Sequence, residues 1–179
     1  MNLESLKNAI PAYAKDLKLN LSSVLTPNGA PGLTEQQIAG VALASAIASR
    51  NTELSKHVET MVRQYADEAT IEGAKAAAAI MGMNNVYYRF THLVEDENYT
   101  QMPARLRMTV IGRPNTEKTD FELYSLAVSA INGCGGCITG HERELRTHGV
   151  SREAIQSAVR IASVIHAVAA TLEYEREAA

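Results

Sequence analysis

ELYSLAVSAINGCGGCITGH, running from Glu122 to His141, holds both cysteines of the chain, Cys134 and Cys137, with two glycines between them. An apolar helical run ends at about Asn132, Gly133 breaks it, and a new helix starts around Cys134. Cys134, Cys137 and His141 then fall at i, i+3 and i+7 and share one helix face. Two thiols spaced this way near a helix N-terminus can cycle between dithiol and disulfide. The helix end stabilises a thiolate, and an imidazole one turn from Cys137 can accept the thiol proton. Gly135 and Gly136 let the first turn relax as the sulfurs approach and part.

The spacing leaves other readings open. Two cysteines and a histidine can hold zinc with open coordination, and two buried cysteines can simply pack. A closed four-cysteine site is impossible in a chain with Cys 2. Glu122 also has two readings. It stands three residues after Thr119, the N3 place of a capping box, which is reason enough for a glutamate. It is also an acid beside a thiol pair. His57, His92, His148 and His166 are expected to be hydrogen-bonded packing residues. Asn84-Asn85, in the middle of a helix, suggests a polar contact at a helix or subunit interface.

Outward from this stretch the chain reads as helices. Leu3 to about Leu25 is helical with an interruption at Pro11, and the turn cluster Thr26–Gly32 ends it. Thr34 and Gln37 form a capping box for a helix to about Ser49; a second helix spans about Thr52–Tyr65. Asp67 caps a long Ala-rich helix, about Glu68–His92. Glu95–Lys118 reads as a connector with one short helix near Ala104–Val110. The helix from Cys134 ends at His148-Gly149, with Gly149 as a left-handed cap, and Ser151 caps a last helix to about Tyr174. No segment alternates like a strand, so the expected class is all-α. A shift of 84 residues places Ser45-Ala46-Ile47 on Ser129-Ala130-Ile131 and His57 on His141. The expectation is one domain over 1–179, built from a duplicated helical unit at about 34–92 and 119–176 with the connector 95–118 between. Arg50 and Glu53 stand where the second copy has the cysteines, so chemistry is expected in the second copy only.

The bulk numbers exclude some classes. A net charge of −3 gives no nucleic-acid footprint. The weakly polar runs Gly40–Ser49 and Ala76–Met83 are too short to span a bilayer, and the charged N-terminus has no signal-peptide core. A cytoplasmic setting is the default, and there a two-cysteine chain suits redox or metal chemistry better than a structural disulfide.

The pattern Glu122-x11-Cys134-x-x-Cys137-x3-His141 resembles the active-site signature of the AhpD alkyl hydroperoxidases, in the carboxymuconolactone decarboxylase-like superfamily. The likeness extends to Tyr13–Leu25, Ile80–Arg89 and Phe121–Cys134. The resemblance implies an AhpD-like fold, a homotrimer or a multiple of it, and no bound cofactor. It implies an antioxidant enzyme that reduces hydroperoxides and re-reduces the peroxiredoxin AhpC. Electrons would come from dihydrolipoamide on a lipoyl-bearing acyltransferase, recharged by lipoamide dehydrogenase. Carried over by motif, Cys137 is the peroxide-reacting thiol that passes through sulfenic acid. Cys134 is its resolving partner and proton donor, and Glu122 and His141 complete a proton relay. Some family members carry a histidine just before the second cysteine; this chain has Gly136. Helix-end physics alone favours the N-terminal cysteine as nucleophile, whereas the resemblance and the spacing to His141 favour Cys137. Two alternatives stand beside the peroxidase: a general dithiol–disulfide oxidoreductase, and a non-enzymatic oligomer that senses redox state or holds zinc.

Overall fold

The computed structural model describes residues 3–178, and among them every regular element is helical. In order these are α1 (Leu3–Ala9), a 3-10 turn (Ala12–Ala14), α2 (Lys15–Val24), α3 (Glu35–Ala48), α4 (Thr52–Val62) and α5 (Glu68–Leu93). The short α6 (Glu97–Gln101) and α7 (Thr109–Gly112) lead to α8 (Lys118–Ile131), α9 (Gly135–Thr147) and α10 (Arg152–Ala178). The all-α expectation is met. Adding 84 to the bounds of α3, α4 and α5 lands within one residue of those of α8, α9 and α10.

Local chemistry sets most of these ends. Thr34 Oγ1 accepts from Gln37 N–H at 3.2 Å while Gln37 Oε1 accepts from Thr34 N–H at 3.0 Å, a complete capping box. Asp67 accepts from Thr70 N–H at 2.8 Å and Ser151 from Ala154 N–H at 3.0 Å, which opens α5 and α10. Gly149 (φ 81) closes α9: its N–H donates to Arg146 O and that of Val150 to Leu145 O, the paired bonds of a Schellman end.

α3, α5, α8 and α10 form the core. α3 is apolar all round because α5, α8 and α10 all pack on it, and Val41, Ala42, Leu43, Ala44 and Ala46 are fully buried. α3 crosses α8 where Gly40 faces Tyr124: a Cβ at residue 40 would come within 2.3 Å of the phenol ring. Phe121, Leu123, Leu126 and Val128 bury the rest of α8, each contributing on the order of 1.5–3 kcal/mol by leaving water. α10 is long and apolar enough to cross a bilayer by length and composition alone. Its Ala158, Ile161, Ile165 and Val168 are instead buried among α2, α3 and α8, which is how a core helix of a soluble protein uses such residues.

Two local expectations are corrected. Thr119 does not cap α8: the helix begins at Lys118 with Glu117 at the cap and no side-chain cap bond, so Thr119 lies inside the first turn. Glu122 is therefore free of any capping duty. In the connector, the short helix expected near Ala104–Val110 lies later, at α7, and 103–108 is not helical. Arg105 adopts φ 52, a left-handed conformation that interrupts helical winding, so α7 starts only at Thr109. α6 was not expected; Asp96 accepts from Asn98 N–H at 3.0 Å, and Tyr99 packs edge-on against Phe90 with ring centres 5.1 Å apart.

Candidate active site

The break between α8 and α9 builds the site. α8 ends in a second Schellman arrangement: Gly133 N–H donates to Ala130 O at 3.2 Å and Cys134 N–H to Ser129 O at 3.1 Å. This needs a left-handed residue, and Gly133 supplies it at φ 67. Cys134, held by the end of α8, is at once the N-cap of α9, and its sulfur faces Cys137 N–H at 3.4 Å. In the first half Arg50 stands where the shift of 84 puts Cys134, and the N-cap role falls one residue later to Asn51, whose side-chain oxygen accepts from Leu54 N–H at 2.8 Å. There an amide caps the helix and no redox pair exists.

Cys134 and Cys137 are joined as a disulfide with Cα atoms 5.3 Å apart. The two sulfurs are not equivalent. Cys134 is fully buried, whereas Cys137 is partly exposed and lines a cavity of about 270 Å³. α5 walls this cavity with Met81, Asn84, Tyr88 and His92, the segment before and within α7 adds Met108 and Ile111, and α9 adds Cys137 and His141. A larger cavity of about 420 Å³, between Leu25, Ile38, Met61 and Tyr65, holds no cysteine or histidine.

Glu122 and His141 meet. The Glu122 carboxylate Oε2 lies 2.6 Å from His141 Nδ1, with Glu122 buried in the middle of α8 and His141 part-buried on α9. A carboxylate accepts, so Nδ1 carries the hydrogen and His141 turns Nε2 outward from that bond. The four residues singled out in the sequence thus lie in one place: the disulfide, a histidine on its cavity, and a buried acid behind that histidine. Among the described residues no three His, Cys, Asp or Glu side chains gather as a metal site.

α5 is locked against this corner. Asn85 Nδ2 donates to Ser129 Oγ at 2.9 Å, and Asn132 Nδ2 donates to Asn85 Oδ1 at 3.0 Å. Arg89 donates to Asn132 O at 2.7 Å. Asn85 of the Asn84-Asn85 pair is therefore a helix-to-helix contact that fixes the last turn of α8 before the cysteines. Its neighbour Asn84 is buried on the cavity wall with Oδ1 unpartnered. His92 differs from its expectation as a packing residue: it is exposed, stands at the cavity edge, and its ring lies over Gly136. A single sequence offers no sign of that approach except a glycine between the cysteines.

Comparison with known proteins agrees with the geometry. Residues 97–178 match the model of the carboxymuconolactone decarboxylase family. The chain is 56% identical over 173 residues to the alkyl hydroperoxide reductase AhpD of Gluconacetobacter diazotrophicus, covering 97% of this chain and 93% of that protein. It is 54% identical to the AhpD of Rhodospirillum centenum, over 98% and 92% of the two chains. The AhpD of Brucella suis is 53% identical, over 97% of each. With this similarity running through both halves, the chain belongs to the AhpD family of alkyl hydroperoxide reductases.

Proposed function

We propose that the protein is an alkyl hydroperoxide reductase that moves two electrons from a dithiol to a hydroperoxide through Cys134 and Cys137. The observation that carries this reading is the bonded cysteine pair with one sulfur on a cavity and the Glu122–His141 pair beside it. In the reduced protein, His141 takes the proton of Cys137, and the Glu122 carboxylate stabilises the imidazolium. The Cys137 thiolate attacks the terminal peroxide oxygen. The O–O bond breaks, sulfenic acid forms on Cys137, and the alkoxide leaves as alcohol after taking up a proton. Cys134 then attacks the sulfenic sulfur. Its thiol proton joins the departing hydroxide as water, and the disulfide is restored.

The burial of Cys134 supports this division of roles, because a thiol with no exposed surface has no access to peroxide. Helix-end electrostatics act on Cys134 in the other sense. As N-cap it is stabilised as a thiolate, which makes it the better leaving group when a reductant attacks Cys137.

Electrons are assigned to dihydrolipoamide on a lipoyl-bearing acyltransferase, recharged by lipoamide dehydrogenase, and the peroxiredoxin AhpC is a second acceptor. The assembly is a homotrimer or a multiple of it, in the cytoplasm. The apolar side chains Val86, Phe90 and Leu93, exposed at i, i+4 and i+7 of α5, support association through that face. The repeat in helix bounds supports one domain of two like halves.

The deciding experiment follows peroxide consumption with dihydrolipoamide, lipoamide dehydrogenase and NADH, with and without AhpC. Turnover of peroxide without AhpC establishes the peroxidase. Turnover of disulfide substrates alone gives a general dithiol–disulfide oxidoreductase instead.

A further inference from the structure

Two histidines stand on the cavity beside Cys137, and only His141 has a buried acid behind it. The other, His92, is oriented by the backbone of its own helix: its Nδ1 lies 2.6 Å from the Tyr88 carbonyl oxygen. A carbonyl can only accept, so Nδ1 carries the hydrogen and Nε2 is the ring nitrogen left to take up a proton. That ring rests over Gly136, between the two cysteines. A Cβ at residue 136 would lie 2.6 Å from His92 Cε1 and 2.7 Å from Nε2. Contacts that short do not persist, so any side chain at 136 moves the imidazole off this corner.

We propose that His92 is the base that takes the proton of the incoming thiol reductant, and that residue 136 is glycine to admit it. The proposal rests on the reading above, in which the Cys134–Cys137 disulfide is reduced by a dithiol. A disulfide carries no proton, so in the oxidised protein the thiol entering from solvent is the group that must be ionised before attack. His92, exposed on the same cavity as Cys137, is placed to take that proton through Nε2 as the thiol enters.

The donor's S–H proton passes to His92 Nε2. Its sulfur bonds to Cys137 Sγ while the Cys134–Cys137 bond breaks, and the electron pair leaves on Cys134 at the N-terminus of α9. The donor's second thiol then attacks the donor sulfur of the mixed disulfide. Cys137 departs as thiolate and the donor leaves as a cyclic disulfide. The two protons lost by the donor are matched by two gained at the cysteines, through His141 and solvent.

The test compares two reductants of the oxidised protein in single-turnover thiol release. Dithiothreitol must lose a proton to attack; tris(2-carboxyethyl)phosphine attacks through a phosphorus lone pair and loses none. His92→Phe keeps a ring over Gly136 and removes the base. It is expected to slow dithiothreitol about ten- to a hundredfold while phosphine reduction stays within about twofold. Gly136→Ala should give the same pattern by displacing the ring. An unchanged dithiothreitol rate, or equal slowing with both reductants, overturns the proposal; His92→Gln serves if the phenylalanine variant does not fold. Failure of the underlying reading shows separately, as wild-type dithiol that alkyl hydroperoxide does not reoxidise.

Discussion

Glu122 on α8 and His141 on α9 are nineteen residues apart, and their side chains meet at 2.6 Å, carboxylate Oε2 to imidazole Nδ1. The contact exists because the Gly133 turn folds α9 back along α8. It gives a buried acid a partner that explains its burial, since an unpaired carboxylate there would be costly. It also fixes the tautomer of a histidine facing the thiol cavity.

The first prediction concerns this pair. A free cysteine has a pKa of ~8.5, so only a few per cent is thiolate at neutral pH without help. Glu122→Gln keeps an acceptor for Nδ1–H but removes the charge that stabilises the imidazolium. Peroxide turnover should fall roughly ten- to a thousandfold, as it should for His141→Gln, with circular dichroism unchanged. A normal rate for Glu122→Gln between about pH 6 and 8 would remove the relay.

Much of this site was readable from sequence because it is local. Cys134, Cys137 and His141 share a face by helical arithmetic, and Gly133 marks the turn that brings Glu122 back. Thr119 misled for a physical reason: a Thr-x-x-Glu spacing opens a helix only if the helix starts there, and α8 starts earlier. Thr34 and Gln37, with the same kind of pattern, do form the box. His92 was missed because its place depends on how α5 crosses α9, a contact between residues 44 apart that periodicity does not encode. The burial that separates Cys134 from Cys137 is likewise tertiary.

A packing prediction follows from the crossing of α3 and α8. Gly40→Ala places a Cβ 2.3 Å from the ring of Tyr124, which is fully buried. In a surface helix the same change would stabilise; here it should cost ~1–3 kcal/mol. Thermal melting of the variant checks the sign.

Acid stability has a defined contributor in Asp67. Its carboxyl is held below the usual range, first by the Thr70 backbone N–H and then by the Thr70 side chain. The folded-state pKa is thus lower than the unfolded one. The stabilisation is complete above the unfolded value of ~3.9 and is lost as pH falls through the folded value. Asp67→Ala should lower stability by ~0.5–2 kcal/mol at neutral pH, with the difference from wild type shrinking in acid. Denaturant midpoints at neutral and acid pH read this directly.

Association is tested on α5. Val86, Phe90 and Leu93 lie along one exposed stripe, and Met102 and Leu106 lie in the segment that follows. A Phe90→Glu, Leu93→Lys double variant puts charges on the face proposed to pack against another copy. Light scattering should find the wild type near three chains or a multiple and the variant shifted toward one. A wild-type monomer at micromolar concentration sinks the trimer.

The cysteine roles are separable because sulfenic acid persists only without its partner. In Cys134→Ser, the Cys137 thiol still faces the cavity and His141 still stands beside it, so peroxide should oxidise it. No second thiol is present to condense with, and the sulfenic acid remains for a dimedone-type reagent to trap. In Cys137→Ser, the remaining thiol is Cys134, which has no exposed surface, so it should react slowly and give little adduct. Helix-end stabilisation does not rescue it: the N-cap position favours the Cys134 thiolate, but a nucleophile out of contact with peroxide gains nothing from ionisation. The discriminating measurement is the mass of the trapped peptide after one equivalent of hydroperoxide. An adduct on Cys134 in Cys137→Ser, with none on Cys137 in the converse protein, would reverse the assignment and show that access, not charge, had been misjudged.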